Sequence, residues 1–262
     1  MKKYIFILSA IIVLSSCTKV IDVDLNEANP VVVLEANYTA NDSTVRLDAR
    51  YTSNFFGAST PENINNAVVT ITDQAGTSTS VPFTSDGHYE LTNYPAQFNT
   101  TYTLSTIVDG TNYTATCEMN DTIQQLPLYY EFFEQGFFGG EGGYLLNLIY
   151  QDPPETGDYT MAVYWRNDTI SEGLDSYMLN EDVLTNGNVV LRPFITEYFK
   201  INDSLRVELR TIDKKIFDYY TELASLTNPN SAAPANPEFI WSNKALGYFS
   251  AYGYSEQTTV IQ

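Results

Sequence analysis

The chain is very poor in histidine and cysteine, and this shortage limits the chemistry that it can carry. Its 262 residues include one histidine, His88, and two cysteines, Cys17 and Cys117. Ser-His-Asp and Cys-His catalytic groups need a histidine as general base, and zinc sites usually take several ligands from histidine and cysteine. Because His88 directly follows the turn sequence Asp86-Gly87, we interpret it as an exposed turn residue. Zinc binding and nucleophilic hydrolysis are therefore disfavoured, and no metal site is predicted.

Basic residues are also scarce. The 13 Lys and Arg residues stand against 32 Asp and Glu residues, which gives a formal net charge of −19. A chain this acidic repels the phosphates of nucleic acids and of anionic lipids. We therefore expect no nucleic-acid partner, and metal cations are its only obvious electrostatic partners.

Long hydrophobic runs are absent after the first residues. The apolar run Tyr4 to Leu14 is shorter than the roughly 20 residues that a membrane helix needs. It follows Lys2 and Lys3 and ends at Leu14-Ser15-Ser16-Cys17, which resembles a bacterial lipobox. We predict a signal peptide at residues 1–16, a lipidated Cys17 that anchors the protein to the membrane, and a tether at residues 17–30. Lipidation of Cys17 leaves Cys117 without a partner for an intramolecular disulfide.

From residue 31 the hydrophobic pattern has period two, which is typical of strands with one buried face. Val45, Leu47 and Ala49, for example, alternate with polar neighbours. Similar runs occupy residues 31–38, 67–73, 77–83, 88–92, 101–108 and 111–119. Turn sequences such as Asp109-Gly110 separate them. We predict an immunoglobulin-like or transthyretin-like β-sandwich over residues 31–120.

The rest of the chain is less regular. Residues 121–142 hold a dense group of aromatic residues and glycines, and we predict a linker and a mobile aromatic loop there. Residues 143–262 are predicted as a β-rich region with a helix at about 214–226, capped by Asp213, and an extended tail. The predicted strands of this region lie near 143–151, 158–167, 189–199 and 203–212. The fold class is mainly β.

The end of the chain carries the most specific pattern. It reads Pro237-Glu238-Phe239-Ile240-Trp241-Ser242-Asn243-Lys244-Ala245-Leu246-Gly247-Tyr248-Phe249-Ser250-Ala251, preceded by Phe217-Asp218-Tyr219-Tyr220. With Val20-Ile21-Asp22-Val23-Asp24-Leu25 and Asn66-Ala67-Val68-Val69-Thr70-Ile71-Thr72-Asp73, it resembles the domain-of-unknown-function family 4249 of Bacteroidota lipoproteins. Lys244 departs from the pattern, because an Asn-Gly-type turn is expected there, and this puts the turn geometry in doubt.

The resemblance implies a setting rather than a mechanism. It implies a lipid-anchored protein of the outer membrane, facing the periplasm or the cell surface, with a β-sandwich in its first half. It brings no known activity, catalytic residue or cofactor. What it does imply is association with a TonB-dependent outer-membrane transporter. We therefore expect a non-enzymatic lipoprotein that assists such a transporter or binds its ligand.

Two other functions stay open. The 20 Tyr and 14 Phe residues could stack on sugar rings in a surface glycan-binding or adhesion module. A pair of carboxylates could hydrolyse glycosides without histidine, although no acidic pair lies in a recognisable motif. Asp22 to Asn26 imitates the start of a calcium loop, but Glu27 replaces the glycine that the turn requires.

Four phenylalanines form the candidate partner-binding site. Phe132, Phe133, Phe137 and Phe138 lie within seven residues and are flanked by glycines. Burying each side chain fully is worth about 1.5–3 kcal/mol, so either the fold or a partner should cover them. A lid over the sandwich and a docking surface are the two interpretations, and we favour docking.

Overall fold

The structure is a computed structural model that describes residues 30–53, 60–136, 139–171, 177–181, 185–195, 197–227 and 236–262. The described strands of the first half are β1 (Val32–Thr39), β2 (Thr44–Tyr51), β3 (Val68–Thr72), β4 (Ser78–Val81), β5 (Phe83–Ser85), β6 (His88–Leu91), β7 (Thr100–Val108) and β8 (Thr111–Met119). Those of the second half are β9 (Tyr129–Gln135), β10 (Glu141–Gln151), β11 (Tyr159–Arg166), β12 (Thr169–Ile170), β13 (Met178–Glu181), β14 (Val189–Pro193), β15 (Ser204–Ile212) and β16 (Leu246–Val260). The mainly β fold is confirmed.

The described strands form three sheets, which stack as β-sandwich layers. The large sheet has nine strands in the order β12-β11-β15-β16-β1-β2-β6-β5, and β13 pairs with β11 beside β12. The four-stranded sheet has the order β4-β3-β7-β8, and the three-stranded sheet has the order β14-β10-β9.

Strand β16 holds the large sheet together. Its residues Leu246–Tyr252 run parallel to β1, and Gly253–Val260 run antiparallel to β15. A strand from the end of the chain thus completes the sheet to which residues 32–51 belong. The sequence predicts only an extended tail here. The division of the chain into separate domains stays a prediction.

The period-two pattern produces two cores. In the first, Leu34 and Leu47 of the large sheet join a buried cluster with Ile71 and Leu104 of the four-stranded sheet. In the second, β15 contributes side chains that cluster with those of β10. The members of this second core from these two strands are Leu205, Val207, Leu209, Leu146, Leu148 and Tyr150. Cys117 is a free cysteine, so no disulfide stabilises the part of the chain that the structure describes. Burial of apolar side chains is therefore the main source of stability.

The predicted helix is present as α1 (Lys214–Thr227). Asp213 caps it, because its Oδ1 accepts a hydrogen bond of 2.6 Å from the Lys215 N–H. Ile216 is buried, and the Phe217 ring lies 5.1 Å from that of Tyr159. No helix in the described part of the chain is long and apolar enough to cross a membrane.

The turn before β16 keeps the geometry that Lys244 had put in doubt. A short 3-10 turn (Ser242–Lys244) precedes the strand, and both Asn243 and Lys244 have positive φ angles. Two successive residues with positive φ are what an Asn-Gly turn supplies. The turn is therefore retained with a lysine in a conformation that favours glycine.

The segment 121–142, predicted as a linker and a mobile aromatic loop, contains a strand at residues 129–135, so the loop prediction is wrong for this part. These residues form β9, which pairs with β10 from Gln135 opposite Glu141 to Tyr129 opposite Asn147. Aromatic residues favour strands. Gly142 of β10 lets the backbone of β9 approach closely. A Cβ on Gly142 would lie 2.0 Å from the carbonyl oxygen of Phe133.

Candidate docking surface

The three-stranded sheet carries apolar side chains on both of its faces. Its inner face contributes Leu146, Leu148 and Tyr150 to the second core. Strand residues alternate between faces, so Leu145 and Ile149 lie on the outer face, where Leu145 is buried and Ile149 is half-buried. An antiparallel sheet with one solvated face normally shows polar residues there, and the exposed residues of β14 on this side are apolar instead.

Cross-strand pairing brings the outer apolar residues together. Ile149 lies opposite Leu191, and Asn147 lies between Pro193 and Tyr129. Residues that are paired across neighbouring strands share a face. Val189 lies two residues before Leu191 on β14, so it is on the same face as Leu191. We call the set of Val189, Leu191, Ile149, Pro193 and Tyr129 the apolar face. Val189, Leu191 and Tyr129 are 59%, 53% and 49% exposed.

Acidic residues border the apolar face. Glu131 lies opposite Leu145 on the outer side of the sheet, and Glu141 lies on the same side at the start of β10. Both glutamates are exposed. The surface is therefore apolar in its middle and negative along one side.

Strand β9 is an edge of this sheet. It pairs with β10 on one side, and it ends the order β14-β10-β9. The outer side of an edge strand offers backbone N–H and C=O groups to another chain. The apolar face thus adjoins a strand that could accept a further strand.

Two of the four candidate phenylalanines can be located, and they lie on opposite faces of β9. Phe132 is 59% exposed, and its ring centroid lies 5.2 Å from that of Tyr144. Phe133 is half-buried opposite Gly143, on the same side as the apolar face. Phe137 and Phe138 lie outside the described residues. The role of the four phenylalanines in partner binding stays a prediction.

The single histidine lies on a different surface. His88 is the first residue of β6, exposed, and its Nδ1 contacts the Asp48 carboxylate. With Arg50 and Asn63 it lines a polar cavity of about 180 Å³. The histidine is thus exposed beside a turn, as the sequence predicts, and it is paired with a carboxylate.

The buried carboxylate of Glu208 serves the fold. It accepts hydrogen bonds from Arg206 at 2.9 Å and from Arg210 at 2.8 Å. The Arg206 guanidinium in turn lies 3.6 Å from the Trp165 ring centroid. Within the described ranges, no three His, Cys, Asp or Glu side chains are grouped so that they could hold a metal. The calcium-like segment at residues 22–26 lies outside those ranges.

Of the two cysteines, the structure places only one. Cys117 is buried, and its Sγ accepts a 3.1 Å hydrogen bond from the Ala251 N–H. Burial raises the pKa of the Cys117 thiol, which makes it a poor nucleophile. Cys17, the predicted lipidation site, lies outside the described residues.

The apolar face was missed by the sequence prediction, although a signal was present. Residues Tyr144 to Tyr150 are almost continuously apolar, and Val189-Val190-Leu191 is a second such run. Continuous apolar strands are typical of a sheet that is covered on both faces. In β10 the residues Leu145–Leu148 are indeed buried on both faces, whereas in β14 Val189 and Leu191 are exposed.

Comparison with known families supports both the lipoprotein prediction and the resemblance. The family described as a domain of unknown function, DUF4249, matches residues 18–258. The prokaryotic membrane lipoprotein lipid attachment site matches residues 1–18. No curated protein matches the chain.

Solved structures with some likeness to the chain include receptor and matrix proteins of chicken. A segment of two fibronectin type III domains from chicken tenascin is 12% identical, with 71% of this chain and 92% of that one covered and a TM-score of 0.24. The chicken interferon gamma receptor alpha chain is 9% identical, with 70% and 89% covered and a TM-score of 0.20. Likenesses at this level carry no functional argument.

Proposed function

This chain belongs to the DUF4249 family and begins with a lipoprotein lipid attachment site, and from that premise we propose that it is a non-enzymatic docking lipoprotein of the outer membrane. The lipid on Cys17 holds it at the membrane. The apolar face binds a membrane-embedded partner, which we take to be a TonB-dependent transporter. We infer the transporter from the family resemblance, and we infer the docking role from the exposed apolar face.

The apolar face is the observation that carries the proposal. Three large apolar side chains, each about half exposed or more, lie on one face of the three-stranded sheet: Val189 and Leu191 on β14, and Tyr129 on β9 across β10 from them. Burying such a side chain fully is worth about 1.5–3 kcal/mol, so a partner that covers them gains binding free energy. Contiguous exposed apolar patches are typical of interaction sites.

The negative charge of the chain limits which partners can bind the apolar face. A second copy of the chain would bring another net charge of −19 and another two glutamates against Glu131 and Glu141. Anionic lipid would be repelled in the same way. The charges favour a protein surface that is apolar in its middle and basic along the side that meets these glutamates.

A membrane setting favours a membrane protein as that partner. A lipid-anchored chain and a transporter in the same bilayer meet at high effective concentration, so a modest surface suffices for binding. The buried Glu208 pairs with Arg206 and Arg210, so this carboxylate serves the fold. Glycan binding could also use Tyr129, and it is therefore an outcome of the experiment.

The experiment compares two matched double variants in native membranes. Val189→Ser with Leu191→Ser removes two of the five apolar side chains of the apolar face, both of them more than half exposed. Val68→Ser with Ile107→Ser removes an isolated cross-strand pair of similar exposure, 58% and 40%, from the four-stranded sheet. Both variants should melt close to the wild type, because exposed side chains contribute little to folding.

Copurification in mild detergent followed by mass spectrometry gives the result. We expect the wild type and the Val68/Ile107 variant to retain a transporter and the Val189/Leu191 variant to lose it. Retention by both variants contradicts the proposal. Loss of binding to glycans instead of loss of a protein partner would favour the glycan-binding alternative.

A further inference from the structure

The edge of the three-stranded sheet at β9 has the composition of a strand that pairs on both sides. Strand β9 pairs with β10 on one side, and no other described strand pairs with its other side. Natural proteins often protect such an edge with lysine or proline, which discourage pairing with another chain. The sequence of β9, YYEFFEQ, has neither lysine nor proline, and four of its seven residues are aromatic. Because aromatic residues favour strands, this composition favours the addition of a further strand.

The backbone groups at this edge can be assigned from the opposite side of β10. The Tyr144 N–H donates to the Phe199 C=O at 2.9 Å, and the Tyr144 C=O accepts from the Phe199 N–H at 2.8 Å. Tyr144 therefore directs both backbone groups away from β9, where its partner is Phe132. In an antiparallel ladder, the two residues of such a pair turn their backbone groups away from each other. The N–H and C=O of Phe132, and those of Tyr130 two residues earlier, thus point to the unpaired side of β9.

The side chains of the same residues continue the second core to the edge. Tyr130 and Tyr144 pack against that core, and the rings of Phe132 and Tyr144 are in contact. Phe132 nevertheless stays exposed. A further strand would place a side chain beside Phe132 on the same face, because neighbouring strands bring paired residues together. The second core therefore ends at β9 in an aromatic ring that an added strand would cover.

The charges of β9 limit which strand can pair with it. Glu131 and Glu134 are its only charged residues, and both are exposed. Like charges opposite each other destabilise a strand pair, whereas opposite charges stabilise it. A second copy of the chain would bring the same two glutamates and another net charge of −19. The edge therefore favours a strand that combines apolar side chains with lysine or arginine.

We propose that β9 binds an extended segment of the partner protein by strand addition. The segment pairs with the backbone groups of Tyr130 and Phe132, packs an apolar side chain on the Phe132 ring and places a basic side chain near Glu131. In this mode of recognition, main-chain hydrogen bonds give affinity and alternate side chains give specificity. The inference rests on the proposed function, because the protein that docks on the apolar face supplies the strand.

A peptide probe tests strand addition without the partner. The probe has seven residues, the length of β9, and in it valine alternates with lysine or threonine. A second peptide has the same side chains and methylated backbone nitrogens, so it keeps the charge but has no backbone donors. A third carries glutamate in place of lysine. Fluorescence anisotropy measures the binding of each peptide to the full lipidated chain in detergent micelles.

We expect the unmethylated basic peptide to bind at least about tenfold more tightly than either of the other two, because strand addition needs both the backbone donors and the complementary charge. The methylated peptide controls for simple attraction between a basic peptide and an acidic protein. Equal binding of the methylated and unmethylated peptides overturns the proposal. So does the absence of binding by the unmethylated basic peptide.

Two variants at one position test the same contact from the side of the protein. Phe132→Pro removes the ring and the N–H, whereas Phe132→Ala removes the ring and keeps the N–H. An edge strand tolerates proline where the missing N–H faces solvent, so β9 should still pair with β10. We expect the proline variant to bind the basic probe at least about fivefold more weakly than the alanine variant, because it lacks a donor for the added strand. Equal binding by the two variants contradicts strand addition.

This result is separable from the proposed function. Val189→Ser with Leu191→Ser alters β14, at the opposite edge of the sheet, so that variant should bind the probe like the wild type. If it loses the transporter while the methylated and unmethylated peptides bind equally, strand addition fails and the docking proposal stands. If the peptides differ as expected but no transporter copurifies with the wild type, the proposed partner fails and strand addition at β9 stands.

Discussion

At the scale of single residues, Asp203 shows how a carboxylate is fixed by its neighbours. It accepts hydrogen bonds from the Lys200 N–H at 2.7 Å and the Asn167 amide at 3.0 Å, and it pairs with Arg166 at 2.7 Å. Partial burial alone would raise the pKa of Asp203. The Lys200 N–H, the Asn167 amide and the Arg166 guanidinium outweigh it and lower the pKa below its usual value.

We predict that Asp203→Asn lowers the free energy of unfolding at pH 7 by roughly 1–3 kcal/mol, since it removes a charged acceptor from three donors. A lowered folded-state pKa means that the stabilisation is present above the unfolded pKa of about 3.9 and is lost as the pH falls through the folded pKa. The wild type and the variant should therefore converge in the acid range, as urea unfolding at several pH values would show. Asp168→Asn, at an exposed neighbouring position, is the control. A stability gap that is equally large at pH 3 and pH 7 would contradict the explanation.

Cys117 gives a second prediction at this scale. Its side chain is 1% exposed, and its Sγ lies in the first core. We expect a charged thiol reagent to label native protein only as fast as the core opens, and unfolded protein within minutes. Labelling that is as fast in buffer as in urea would place the thiol at the surface.

At the scale of elements, the sequence predicts strands well where one face is buried. The alternation of Val45, Leu47 and Ala49 predicts a strand, and it forms β2 (Thr44–Tyr51), because these three residues are buried while Arg46 between them is exposed. The helix begins at Lys214 as predicted, because Asp213 gives a clear N-cap. It ends one residue later than predicted.

The elements that were missed lack this one-sided pattern. Strand β9 is largely exposed on both faces, and the first half of β16 is largely buried on both, so neither shows a simple alternation. The parallel pairing of β16 with β1 joins residues more than 200 positions apart, and no local pattern encodes it. The apolar face could not be predicted for the same reason, because it depends on which strands become neighbours in the sheet.

Gly142 allows β9, one of the strands that the sequence did not predict, to pair closely with β10. A Cβ at this position would lie 2.0 Å from the Phe133 oxygen and 2.5 Å from the Glu134 backbone. We predict that Gly142→Ala pushes β9 away from β10 at a cost of roughly 1–3 kcal/mol. Hydrogen exchange should show loss of protection confined to residues 129–135. Gly140→Ala, where a Cβ has nothing within 4 Å, should leave protection unchanged, and equal effects of the two variants would refute the account.

At the scale of the whole molecule, the lipid is the predicted membrane attachment. We expect Cys17→Ala to move the protein from the membrane pellet to the soluble fraction, because the diacylglyceryl group has no other thiol to modify at the lipobox. Cys117→Ala is the control and should remain in the pellet. If the Cys17 variant pellets with membranes in high salt, a second attachment exists.

The whole molecule combines an anchor, an acidic body and one apolar face, and the central claim is that this face meets a membrane protein. Photo-cross-linking in intact cells tests it most directly, with a photoreactive residue placed at Leu191 or, as the control, at Ile107 of the four-stranded sheet. The account predicts one dominant adduct from position 191, identified by mass spectrometry as a TonB-dependent transporter, and none from position 107. No protein adduct at position 191, or the same adducts at both positions, would contradict it.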